Sequence, residues 1–262
     1  MRLATWNVNS VRARADRIVE FLKRSDCDVL AMQETKCRDD KFPLERFTDL
    51  GYEVAYTGLN QWNGVAIASR VGLDDIVIQF PGQPGFTEPA VAEARAISAV
   101  CGGVRVWSLY VPNGRDLIDP HYTYKLDWLA KLRTYVTDEI ARDPRAQITL
   151  VGDWNVAPLD EDVWDPSLFE GKTHVSQPER DALAALTDTG FVEVTRAHTP
   201  GPGVYTYWDY TRLRFPKRQG MRIDLAFGSP VLAARVTHAS IDRKERIGKG
   251  ASDHAPVIVD LD

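Results

Sequence analysis

Short apolar or β-branched runs recur along the chain: Leu3 to Val8, Val29 to Met32, Gly64 to Ala68, Val104 to Val111, Ile148 to Val151, Ile223 to Phe227 and Pro256 to Leu261. Each reads as a buried or half-buried strand. Between some of them apolar residues return at helical spacing, over Val11 to Arg24, over Pro178 to Thr189, and over Tyr122 to Arg142 through Leu126, Leu129, Leu132, Val136 and Ile140. Strands and helices are therefore mixed along the whole length, which points to an α/β architecture. Pro/Gly clusters at Pro81 to Gly85 and Pro200 to Gly203 are too short to be linkers, and no internal repeat is visible. Residues 1–262 are expected to form one domain.

The polar residues that interrupt this pattern are the informative ones. One apolar run ends in Trp-Asn at Asn7, another in Gln-Glu at Glu34, and another in Gly-Asp-Trp-Asn at Asp153 and Asn155. Ser-Asp-His-Ala-Pro, with Asp253 and His254, precedes the last strand. Strand ends commonly carry function. Asp224 differs, because it falls inside Arg-Ile-Asp-Leu-Ala-Phe, where a strand would bury it, and a buried carboxylate requires a charged or hydrogen-bonding mate. Singly, each has an ordinary explanation: Asn7 as a turn former, Glu34 as a solvated residue past a strand, Asp153 as an Asx-turn acceptor, Asp253 as a cap, His254 as a structural histidine. Jointly, they are hard to explain as unrelated turns. If the strand ends meet, they form an oxygen-rich cluster with one imidazole. Hard oxygen ligands suit magnesium or manganese, whereas zinc would recruit more histidine or cysteine. Phosphodiester hydrolysis makes the matching demand: a phosphate to neutralise in part, a water to deprotonate, and charge developing on the phosphorane and the leaving oxygen. No Gly-x-Ser-x-Gly elbow, P-loop or Gly-x-Gly-x-x-Gly fingerprint points elsewhere.

Composition narrows the class further. At 262 residues, 44% hydrophobic and 10% aromatic, the chain can bury a substantial core, and disorder is excluded. Cys27, Cys37 and Cys101 are scattered without a CxxC pair, against a disulfide framework or zinc knuckle and in favour of a reducing, cytoplasmic setting. No apolar run approaches the roughly 18 residues of a membrane span, and the N-terminus has no apolar export segment. A formal net charge of -5 argues against a protein that coats nucleic acid. Charge is local, however: Arg212, Arg214, Lys217, Arg218 and Arg222 occur without an intervening acid, and Arg243, Lys244, Arg246 and Lys249 follow. Such runs are solvated loops as often as not; here they also fit a phosphate-bearing polymer whose reactive phosphate is held by a metal.

Trp-Asn-Val-Asn (Trp6 to Asn9), Gln-Glu-Thr-Lys (Gln33 to Lys36), Gly-Asp-Trp-Asn-Val-Ala (Gly152 to Ala157), Arg-Ile-Asp (Arg222 to Asp224) and Ser-Asp-His-Ala-Pro (Ser252 to Pro256) carry a resemblance. In order and spacing over the whole chain, they resemble the exonuclease III family of apurinic/apyrimidinic (AP) endonucleases, within the larger endonuclease/exonuclease/phosphatase superfamily. Gly-Asp-x-Asn and Ser-Asp-His recur across that superfamily and speak to the chemistry more than the substrate. Gln-Glu-Thr-Lys, Tyr110-Val-Pro-Asn113 and the Tyr205 to Tyr210 stretch followed by Met221-Arg-Ile-Asp224 point to its DNA-repair branch.

The resemblance implies a deoxyribonuclease I-like four-layer α/β sandwich, two packed, mostly antiparallel sheets flanked by helices, with the active site at one edge. It makes Glu34 a direct magnesium ligand with Asn7 close to it, and Asp253 a second metal ligand or a nearby acid. The implied metal set is Asn7, Glu34, Asp153, Asn155 and Asp253, with manganese able to substitute. His254 would contact the scissile phosphate, oriented by Asp224. Asp153 would bind or deprotonate the attacking water, and Asn155 would position it or stabilise the transition state. Tyr110 would contact the phosphate or take part in proton transfer. Tyr207, Met221 and Ile223 would line a pocket for a flipped-out abasic sugar. Asn113, Arg115 and the basic loop from Arg212 to Arg218 would contact the DNA. Met221 stands where some relatives have Trp, which keeps an apolar wall, and Asn9 stands where some have Asp, which removes a carboxylate near the metal.

The expected activity is hydrolysis on the 5′ side of abasic sites in duplex DNA, leaving a 3′-hydroxyl, with 3′-5′ exonuclease and 3′-phosphatase action on blocked ends. The alternatives are an enzyme that is mainly a 3′-5′ exonuclease, a phosphodiesterase for a phospholipid or other non-DNA substrate, and a catalytically inert DNA-binding module. Intact Glu34, Asp153, Asn155, Asp224 and His254 speak against the last. A monomer without membrane association is the default expectation.

Overall fold

The computed structural model describes residues 1–87 and 89–262. Strand β1 (Arg2–Asn7) leads through α1 (Ala15–Ser25) to β2 (Val29–Gln33), and after α2 (Glu45–Thr48) come β3 (Glu53–Thr57) and β4 (Val65–Ser69). The next stretch holds β5 (Asp74–Ile78), β6 (Ala96–Cys101), β7 (Val104–Tyr110), α3 (Pro120–Arg142) and β8 (Ile148–Asp153). It continues with α4 (Gln177–Thr187), β9 (Val192–Glu193) and β10 (Asp224–Gly228). Helix α5 (Pro230–Ala233) and strands β11 (Val236–Ile241) and β12 (Val257–Leu261) follow. One six-stranded sheet has the order β11-β12-β1-β2-β4-β3 and the other β5-β6-β7-β8-β10-β9.

Neighbouring strands are antiparallel except at the centre of each sheet, where β1 runs parallel to β2 and β7 parallel to β8. A parallel pair needs a crossover connection. Helices α1 and α3 supply the two crossovers and cover the outer faces, α1 over Trp6, Leu30 and Ala68, α3 over Trp107, Leu109 and Leu150. The inner faces meet through Leu3, Val29, Ile67, Ile97, Val106, Val151 and Val259. The result is the expected helix–sheet–sheet–helix sandwich. Central strands are buried on both sides, hence their near-continuous apolar runs.

Parallel strands also finish at the same edge, and this places the chemistry. Asn7 ends β1 opposite Gln33, the last residue of β2, and Tyr110 ends β7 opposite Asp153, the last of β8. Strand β10 runs the other way, so its first residue, Asp224, also lies opposite Asp153. Gly152 makes this edge tight: at φ +149°, a Cβ there would fall 1.9 Å from the carbonyl oxygen of Leu109. No other residue fits.

Two expectations shift. The first helix begins at Ala15 rather than Val11, because Asn9 and Ser10 turn through positive φ and the chain must recover before a helix can start. Helix α3 begins at Pro120, where Asp119 accepts the N–H of His121 at 2.8 Å. Strands β3, β5, β9 and β11 are not marked by an apolar run: all four are edge strands with exposed residues, and β9 is only two residues long. Strand β6 is also missing from the expected strands, although Ala-Ile-Ser-Ala-Val-Cys is apolar and buried.

Candidate active site

Glu34, Asp153 and His254 offer ligand atoms that lie within 4.8 Å of one another. Asn7 ties the two sheets together here, its Nδ2 donating to Glu34 Oε1 at 2.8 Å and to Asp153 Oδ2 at 2.9 Å. Its Oδ1 accepts the N–H of Asn9 at 3.0 Å, so Asn7 presents amide hydrogens to the cluster rather than its oxygen. His254 Nδ1 meets Asp224 Oδ2 at 2.8 Å, and its Nε2 lies 3.9 Å from Asp153 Oδ2. The mate that Asp224 required is therefore His254. Asp153 Oδ1 accepts the N–H of Asn155 at 3.0 Å, so it is both an Asx-turn acceptor and a member of the cluster. Asn155 donates its Nδ2 to the carbonyl of Val111 at 3.0 Å, and its Oδ1 faces Asn113 Nδ2 at 3.2 Å and His174 Nε2 at 3.1 Å. Tyr110 sets its phenol against Glu34, with the Arg95 guanidinium 4.8 Å from its ring centre. Glu34 and Asn155 both follow a central strand at positive φ, 51° and 52°. Asn tolerates that region; Glu does so at a cost of about 1 kcal/mol or more.

Electrostatically the cluster is short of positive charge. Asp153 is driven up to about 7 by burial first, then by the carboxylates of Asp224 and Glu34, against the opposing pull of His254 and Asn7. Burial disfavours the His254 imidazolium, yet Asp224, Asp153 and Asp253 outweigh it and hold the ring's pKa up to about 10. Burial would also raise Glu34, but Lys36, 2.6 Å from Oε2, and Asn7 bring it below the ordinary range. Burial and then Glu34 keep Tyr110 a neutral phenol. The second oxygen of Asp224 is buried without a hydrogen-bond partner. A hard divalent cation fits this oxygen-rich, under-neutralised donor set, in which Glu34, Asp153 and His254 could offer it ligand atoms. Asp253 stands to one side, its Oδ1 accepting from Asn9 Nδ2 at 2.9 Å.

The cluster opens into a cavity of about 540 Å³ lined by Glu34, Tyr110, Asn113, Arg115, Asp153, Asn155, Tyr207, Met221, Ile223, Asp253 and His254 among others. Met221, Ile223 and Tyr207 pack with Ala157 and Val163 into one small apolar cluster, and the Tyr207 ring lies 4.8 Å from that of His254. Arg115 is exposed and stacks on Phe86. From the basic loop, Arg212 and Arg214 reach the cavity, Arg214 over the Trp164 ring at 4.8 Å.

Several residues to which the sequence assigns no role in the site, most of them inside the quoted motifs, hold this arrangement. Gln33 Nε2 donates to Thr5 Oγ1 and, across the sheets, to Ser108 Oγ, each at 3.0 Å. Thr206 Oγ1 accepts the N–H groups of Ile223 and Asp224 at 3.1 and 3.0 Å. Ser252 donates to the carbonyl of Asn7 at 2.7 Å and Trp6 to that of His254 at 3.1 Å. Lys36 and Asn9 carry the cluster's contacts outward, Nζ donating to Asn9 Oδ1 at 2.7 Å. His174 projects into the cavity between Asn113 and Asn155; its only sequence signal was being one of five histidines.

A nearby histidine makes the fold acid-sensitive. His121 Nδ1 accepts the N–H of Gly114 at 3.1 Å, and burial, with Arg95 and Arg115 close by, pushes its pKa from 6.5 down to about 4. As pH falls the unfolded chain takes up this proton first, so the contribution of His121 is full above about 6.5 and is lost toward 4. The urea midpoint is expected to fall between pH 7.5 and pH 5, and to fall less in His121→Gln. Equal drops in the two proteins would refute the assignment.

A two-sheet α/β sandwich with carboxylates and one imidazole gathered at its strand ends defines a phosphoesterase of the deoxyribonuclease I-like type. The chain belongs to the Endonuclease/Exonuclease/phosphatase family, which it matches over residues 4–254. It is 29% identical over 263 residues to an exodeoxyribonuclease of Bacillus subtilis, covering 98% of each chain. A 3′ phosphatase from Neisseria, solved with a product DNA hairpin, superposes with a TM-score of 0.93 at 35% identity, over 100% of this chain and 99% of the other. An AP endonuclease from Archaeoglobus fulgidus superposes at 0.92 with 34% identity and the same coverage. Such enzymes hydrolyse phosphate ester bonds.

Proposed function

We propose that this chain is a magnesium-dependent DNA-repair phosphodiesterase that cleaves 5′ to abasic sites in duplex DNA and also removes 3′-terminal nucleotides and phosphates. One observation carries the reading: Glu34, Asp153 and His254 converge, with Asp224 behind the imidazole, at the floor of a cavity whose wall is the apolar set Tyr207, Met221 and Ile223. That wall suits a sugar without its base.

Glu34 and Asp153 would hold the cation, magnesium or in its place manganese, and Asn7 fixes both carboxylates for it. When bound, the cation supplies positive charge to the phosphate and the leaving oxygen. His254, kept protonated by Asp224, donates from Nε2 to a non-bridging phosphate oxygen. Asp153 accepts a proton from the attacking water, whose oxygen bonds to phosphorus as the bond to the 3′-oxygen breaks, and the departing 3′-oxygen takes a proton from solvent to become the 3′-hydroxyl. Tyr110 donates its phenolic hydrogen to the phosphate, and Asn155 keeps Asp153 in place through its N–H. Arg115, Arg212 and Arg214 meet the DNA backbone at the cavity rim, and Asn113 braces Asn155. The chain acts as one domain and a monomer in the cytoplasm, a setting consistent with its buried free cysteines. Among the described residues no helix is long and apolar enough to cross a membrane.

The deciding experiment uses an end-labelled duplex with one abasic analogue and a second duplex ending in a 3′-phosphate, each with magnesium or with chelator. Magnesium-dependent incision at the analogue supports the reading, and an uncut abasic duplex sinks it. A second reading, in which 3′-end processing dominates, is favoured by the likeness to the Bacillus exodeoxyribonuclease and the Neisseria 3′ phosphatase. Faster removal of the 3′-phosphate than incision would select it. Glu34→Ala is expected to raise the magnesium concentration for half-maximal rate about tenfold or more. An unaltered metal titration would remove Glu34 from the ligand set.

A further inference from the structure

Behind Asn155 lies an ion pair closed off from solvent: Lys125 of α3 and Glu179 of α4, both side chains 0% exposed. Two desolvated charges add little or nothing net to stability, so the pair calls for another explanation. Its remaining partners supply one. Lys125 Nζ donates to the backbone carbonyl of Asn155 at 2.6 Å and to that of Asn113 at 3.2 Å. Glu179 Oε1 accepts the hydroxyl of Thr173 at 2.7 Å and the N–H of His174 at 3.0 Å. Oε2 accepts the N–H and hydroxyl of Ser176 at 3.1 and 2.6 Å.

These contacts reach three separate segments, the ones that follow β7, follow β8 and precede α4. Each delivers one polar residue to the cavity wall: Asn113, Asn155 and His174, which touch one another at 3.1 to 3.2 Å. The segments are drawn in closely. Gly114 sits at φ +92°, and a Cβ there would lie 2.5 Å from Thr173 Oγ1 and 3.2 Å from Lys125 Cδ. A short relay then runs from the pair into the cluster: Lys125 holds the carbonyl of Asn155, and the N–H of Asn155 holds Asp153 Oδ1.

We propose that Lys125 and Glu179 are positioning residues that set the orientation of Asp153 through the backbone of Asn155, an inference that rests on the reading of the site given above. Their role is to hold geometry, not to touch substrate. The double variant Lys125→Met/Glu179→Gln removes both charges without stranding either. It is expected to lower kcat about 30-fold or more with KM within about threefold, and to lower it by less than about threefold when added to Asp153→Asn, because the residue it acts through is then already disabled. A folded double variant with unchanged kcat overturns the proposal, as does an equal loss in both backgrounds. If the double variant does not fold, Thr173→Val, which keeps the volume and removes one hydroxyl, is expected to show the same pattern at about fivefold. A structural reading independent of turnover is the backbone amide signal of Asn155 in 1H–15N spectra. It is expected to shift and broaden in either variant, and an unmoved signal overturns the proposal. Failure of the wild-type chain to turn over DNA would instead count against the site reading, and the amide signal would still decide this one.

Discussion

Asp153→Asn is expected to lower kcat by about three orders of magnitude or more while leaving DNA binding within a few-fold. The substitution keeps the shape of the side chain and its acceptor oxygen for Asn7 or Asn155, so the floor of the cavity is preserved. In the mechanism proposed above, it removes the basic oxygen that accepts the water's proton and one anchor of the cation. These losses fall on the transition state, because the substrate's ground state already makes its backbone contacts at the rim. Stability should move the other way. Asp153 is a buried carboxylate crowded by Asp224 and Glu34, so its neutral replacement is expected to melt at the same temperature or higher. Turnover on a 3′-phosphate duplex, anisotropy with labelled DNA, and a melting curve measure the three effects. Residual kcat within tenfold of wild type would remove Asp153 from the chemistry.

His254→Asn is expected to differ by damaging both rate and fold. It strands Asp224, whose Oδ1 has no partner and whose Oδ2 would lose its imidazolium. Breaking a buried pair by removing one member costs about 3 kcal/mol or more. Turnover should drop about a thousandfold with the loss of the phosphate contact. Adding Asp224→Asn separates the effects: the double variant is expected to regain most of the stability and none of the activity. Recovery of activity together with stability would mean that the histidine is structural and that the phosphate is held by something else.

The parts of this molecule that could be read from its sequence are those whose surroundings are uniform. Strands β1, β2, β7 and β8 announce themselves because both faces are dry, and β12 nearly so. The polar residues at their ends stand out against that background. Strand β5 was silent because its residues are mostly exposed, and β9 because two residues carry no period. The pattern of the chain gave Asp224 a need for a partner but only the resemblance named His254, since that residue lies 30 positions further on, ahead of a strand of the other sheet, and meets Asp224 across the sandwich. Lys125 was legible only as an anomaly. It occupies the buried stripe of α3 with His121, Trp128, Leu129 and Leu132, where helical spacing asks for an apolar side chain. Glu179 was hidden for the opposite reason. As the fourth residue of Ser176-x-x-Glu179 it completes an ordinary capping box, which it does form, and nothing in that pattern betrays the buried lysine on its other oxygen.

Asn7 and Glu34 hang from one sheet, Asp153 and Asp224 from the other, and Gln33 reaches across to Ser108 just beneath them. The reactive centre is in effect a caliper whose two jaws are separate slabs of the protein, and its opening is set by the thickness of the hydrophobic layer between them. A shaved side chain deep in that layer, such as Ile97→Ala or Val106→Ala, would let the slabs settle and displace the groups that hang from their edges, at a cost of about 1 to 5 kcal/mol in stability. Heat should act in the same way, silencing the enzyme a few degrees before it comes undone.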